Sequence, residues 1–119
     1  MLYKVDAFLR ILLIELEDLE SDIELLIEKY GKDHKEEKIS NYVFKENIAL
    51  AYNELFGVEG LYGQVKEFRA EEFKSIDDVA LKIDEILDFF CSKKGYIRSI
   101  CILVRRKIEK VRKYVEGDF

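Results

Sequence analysis

The chain has 119 residues, 49% of them apolar, with 20 Lys+Arg against 25 Asp+Glu, a net charge of −5, one His, two Cys, and neither Pro nor Trp. A chain of this length buries about two-thirds of the surface its unfolded form exposes, which makes one core and one domain, 1–119. Its apolar content excludes a disordered chain although 38% of the residues are charged, and no apolar run approaches the roughly 20 residues a membrane span needs.

The N-terminus has no basic stretch leading into a long apolar run, so no secretory signal is expected and the expected location is cytoplasmic. In that compartment Cys91 and Cys101 are expected to be reduced and to pack as small hydrophobes. The absence of Pro and Thr, with abundant Glu, Lys, Leu and Ile, favours helix.

Val5, Leu9, Leu12, Leu16, Leu19, Ile23, Leu26 and Tyr30 alternate in steps of four and three, which predicts a helix over about 3–30. Gly31 is placed to end it, followed by a charged loop, 32–38, that holds His34. Ser40 or Asn41 can cap a second helix, about 41–69, whose apolar series runs Phe44, Ile48, Ala51, Leu55, Val58, Tyr62 and Val65. Gly57, Gly60 and Gly63 lie inside this series. They either let a neighbouring helix approach closely or break the helix near 57–60.

Ser75-Ile76-Asp77-Asp78 has the form of a capping box that starts a third helix. Phe90, Ile97, Val104 and Val111 are seven apart, so residues 76–116 read either as one helix or as two joined near Gly95. On one continuous helix Cys91 and Cys101 would stand about 15 Å apart, too far for a disulfide, which would require the break. The fold class is therefore all-α, an antiparallel bundle of three to four long helices.

The first helix is apolar on two sides. Tyr3, Ala7, Ile11, Ile14 and Leu25 lie away from its main stripe, which predicts self-association through this helix and a homodimer. Charge is distributed just as unevenly. Glu15, Glu17, Asp18, Glu20, Asp22, Glu24 and Glu28 carry no base among them, whereas the last helix sets nine bases, from Lys93 to Lys113, against Glu109 alone.

Lys94, Arg98, Arg105 and Arg112 stack in one row, with Arg106, Lys110 and Lys113 on the next. The first expectation is that these bases pair with acids of the bundle or of a second subunit. Phosphate contacts with nucleic acid are the alternative, and contact with a membrane is not expected because the apolar face is needed for the core.

No catalytic, metal-binding or cofactor-binding residues are assigned. One His and two Cys cannot build a histidine-rich di-iron site or a Cys/His zinc site, and no phosphate-cradling glycine loop follows a strand. Glu17-x-x-Glu20 and Glu85-x-x-Asp88 resemble the paired acids with which all-helical MazG-type pyrophosphohydrolases hold magnesium, although they stand much farther apart here. By size and helix count the chain also resembles HEPN-type bundles. It lacks the His that follows Arg in their ribonucleases, which implies a catalytically inactive member. The expected function is non-enzymatic association with an unidentified protein partner and with itself. A nucleic-acid accessory role is the rival.

Overall fold

The computed structural model describes residues 2–93 and 98–117 and is all-α: α1 Leu2–Lys35, α2 Asn41–Lys66, a short 3-10 helix Ala70–Glu72, α3 Ile76–Lys93 and α4 Arg98–Glu116. No strand occurs among the described residues.

Gly31 does not end α1, which continues for another turn to Lys35. Lys29 bridges Asp33 at 2.9 Å across that turn, and Lys32 and Lys35 place positive charge at the negative end of the helix dipole. The stop comes later. The Lys38 N–H donates to the Asp33 carbonyl at 2.8 Å and the Glu37 N–H to that of His34 at 3.1 Å, a Schellman turn whose left-handed position is held by Glu37 at φ 61°.

His34 is therefore a last-turn helical residue and not a solvated loop residue. Its ring stacks on Phe44 with centroids 4.1 Å apart, and its Nε2 lies 2.5 Å from Asn41 Oδ1, so it ties the end of α1 to the start of α2. Ser40 is the cap of α2, its hydroxyl accepting from the Val43 N–H at 3.1 Å.

α2 runs unbroken through Gly57, Gly60 and Gly63. At Gly60 the ring of Phe90 lies 3.2 Å from where a Cβ would stand, so this glycine does admit a close helical neighbour, while the space at Gly63 is open. Ser75 starts α3 by accepting from the Asp78 N–H at 3.3 Å, and the Asp78 carboxylate accepts from the Lys74 N–H at 3.0 Å.

In place of one helix over 76–116, the described residues form two, α3 and α4. α4 runs antiparallel to α3, because Arg105 reaches Asp84 and Asp88 while Arg112, one helical stretch further on, reaches back to Asp77. Gly95, with Lys94, lies outside the described residues. The antiparallel pairing of α3 and α4 brings Cys91 and Cys101 within 6.9 Å at Cα, and they are joined as a disulfide. The expectation of two reduced thiols is thus corrected: they stand ten positions apart in sequence, but they face each other across the α3/α4 hairpin.

The core contains Phe8, Leu12 and Leu16 of α1, Val58, Leu61 and Val65 of α2, Val79 and Ile83 of α3, and Val104 and Val111 of α4. Helix lengths are unequal: α1 has 34 residues, whereas α3 has 18 and α4 has 19. At 1.5 Å per residue α1 is about 51 Å long and the other two about 27 Å. Because Lys4, Ser75, Ile76 and Glu116 line one cleft, the α3/α4 hairpin is set against the N-terminal end of α1. It ends partway along.

Candidate association surfaces

The unequal lengths leave a two-helix overhang. The last buried residue of α1 is Ile23 and the first of α2 is Ala51, and none of residues 24–50 is buried. Along α2, Gly57 and Leu61 are buried, while Val43 and Leu50, on the same four-three stripe, are exposed. Along α1, Leu12, Leu16, Leu19 and Ile23 are buried, while Leu26 at the next step is exposed. The apolar pattern therefore outruns its cover. Three-to-four spacing marks a face for burial whether or not the chain itself supplies a neighbour.

The residues singled out from the sequence for self-association fall on the outer side of α1. Tyr3 is 66% exposed, Ile14 57% and Leu25 63%, whereas Ala7 and Ile11 are half-buried. Ile11 contributes with Glu15, Lys110, Val111, Lys113 and Tyr114 to an apolar groove of about 500 Å³ between α1 and α4. Leu26, Val43 and Leu50 were not singled out. The sequence could not mark them, since it left open whether 76–116 is one long helix or two short ones that cannot cover a hairpin of two long ones.

The basic helix divides differently from its sequence rows. Arg105 binds Asp84 at 2.7 Å and Asp88 at 2.8 Å, and Arg112 binds Asp77, so the acids that this row meets within the bundle are those of α3. Among the described residues, Glu15 is the one member of the acidic run in α1 that α4 engages. It accepts from Lys110 at 2.7 Å and from Lys107 at 2.9 Å. These two ammonium groups, Lys110 foremost, hold the Glu15 carboxyl below its usual range, and Asp84 with Asp88 pushes the Arg105 guanidinium higher still. Arg98, Arg106 and Lys113 are exposed without an ion pair among the described residues.

Among the described residues, the rest of that run, Glu17, Asp18, Glu20, Asp22, Glu24 and Glu28, forms no ion pair. Burial, and then the nearby Glu59, Glu24 and Glu17, push the Glu20 carboxyl above its usual range, and burial does the same for Glu54 on α2. Glu17 accepts the Tyr62 hydroxyl at 2.7 Å, which holds that phenol's proton more tightly. The two acidic pairs that resemble a magnesium site are not brought together as one: Asp88 is engaged by Arg105, and no cluster of three or more metal-ligating side chains occurs among the described residues. No described helix is long and apolar enough to cross a membrane.

Set against known proteins, the chain matches no family model, no curated protein and no solved structure.

Proposed function

We propose that this protein works by association with other proteins, and with itself through the α1–α2 hairpin. The observation that carries this reading is the overhang: apolar stripes continue past the α3/α4 hairpin on both helices, leaving Leu26, Val43 and Leu50 exposed. Each is already more than half covered, so burying what remains of one such side chain contributes about 1 kcal/mol. Three of them with their surroundings are comparable to the centre of a modest interface.

The bases that suggested the nucleic-acid reading are divided between paired and unpaired. Arg105, Lys110 and Arg112 are paired with Asp84, Asp88, Glu15 and Asp77, pairs that are mostly solvent-exposed and individually weak, while Arg98, Arg106 and Lys113 have no ion pair among the described residues and keep nucleic acid as the rival. Sedimentation of the protein at two salt concentrations, with and without a mixed-sequence oligonucleotide, separates the two readings. Association predicts a dimer that ignores the oligonucleotide. A shift onto the oligonucleotide that weakens steeply with salt would overturn it.

A further inference from the structure

We infer that two copies of this chain pair antiparallel along one edge of α1, about a two-fold axis at Leu25. This rests on the association reading above and names the surface. Asp18, Asp22, Leu25, Lys29 and Lys32 follow steps of four, three, four and three, so they form one line on α1, and all five are exposed. The line is acidic before Leu25 and basic after it. Laid against itself in reverse, it sets Leu25 on Leu25, Asp18 opposite Lys32, and Asp22 beside Lys29.

A surface complementary to its own reverse is what an isologous two-fold contact requires. The parallel arrangement sets Asp18 on Asp18 and Lys32 on Lys32, which repel. A polyanion meets two carboxylates on the same line, so nucleic acid does not fit it. Lys29 bridges Asp33 within its own helix, but its three ammonium protons leave donors for a second carboxylate. Leu26, where the core stripe of α1 first lies uncovered, is the next residue along, so one neighbouring hairpin reaches both.

The test uses two full-length variants: Asp18→Lys with Asp22→Lys, which makes the line wholly basic, and Lys29→Glu with Lys32→Glu, which makes it wholly acidic. Circular dichroism checks that both keep the helical content. Sedimentation equilibrium should show that each variant alone self-associates at least ten-fold more weakly than the parent, while an equimolar mixture forms a 1:1 heterodimer with the parent's affinity. Variants that dimerise as well as the parent, or a mixture that stays monomeric while the parent dimerises, would overturn this pairing and leave association by another surface standing. A parent chain that is itself monomeric at 100 micromolar would remove the association reading and this one with it.

Discussion

At the scale of single residues, the end of α1 carries a local cost. Glu37 occupies a left-handed conformation that costs a residue with a Cβ about 1 kcal/mol, and the Schellman turn around it is otherwise complete. Glu37→Gly is expected to raise stability by about 0.5 to 1 kcal/mol, read as a higher denaturant midpoint at unchanged slope. Charge makes a second prediction. The folded protein holds Glu15 ionised more readily than the unfolded chain does, so its contribution is complete at neutral pH and is lost as pH falls through the lowered value. Glu15→Gln should therefore cost about 1 kcal/mol at pH 7 and nothing once the parent's own carboxyl is protonated. Glu20 is the reverse case. Its ionised form is disfavoured in the fold, a cost present at neutral pH and relieved as pH falls through the raised value, so Glu20→Gln should stabilise at pH 7 by about 0.5 kcal/mol. Thermal melts across pH 3 to 8 check both signs.

At the scale of elements, two glycines of α2 that look alike in sequence should behave oppositely. A methyl group at Gly63 meets open space and gains helix propensity, so Gly63→Ala should stabilise by about 1 kcal/mol. At Gly60 the same group meets the Phe90 ring at 3.2 Å, and Gly60→Ala should bring no gain or a loss. The α3/α4 hairpin owes part of its stability to the Cys91–Cys101 link, which closes a short loop. Replacing both cysteines with Ala should cost about 2 to 3 kcal/mol, measured against the oxidised parent. Helices and their order were legible from the four-three spacing, and the capping of α2 and α3 from Ser40 and Ser75. The break between α3 and α4 was not, because Phe90, Ile97, Val104 and Val111 keep a heptad phase that a turn need not disturb. Nor was the end of α1, since Gly31 fits a helix as well as its end when the next turn is secured by Lys29, Asp33 and His34.

At the scale of the whole molecule, a body of 54 × 29 × 23 Å is elongated because its two hairpins differ in length. The short one covers the first part of α1 and the last part of α2 and leaves the apolar stripe over 24–50 uncovered. The sequence pointed to Leu25 and Ile14 through the second apolar side of α1, and both are exposed. It did not point to Leu26, Val43 or Leu50, whose periodicity is that of ordinary core positions. Only the length of the covering helices distinguishes a core stripe from an interface. The division of the basic helix was equally hidden, because helical rows locate charges around α4 but not which neighbour, α1 or α3, each row faces. The most direct test of the central claim is amide hydrogen exchange of the intact protein at a low and a high concentration, followed segment by segment. If the overhang is an interface, exchange over residues 24–50 slows at the higher concentration while the buried core of α3 and α4 is unchanged. Identical exchange over 24–50 at both concentrations would contradict it.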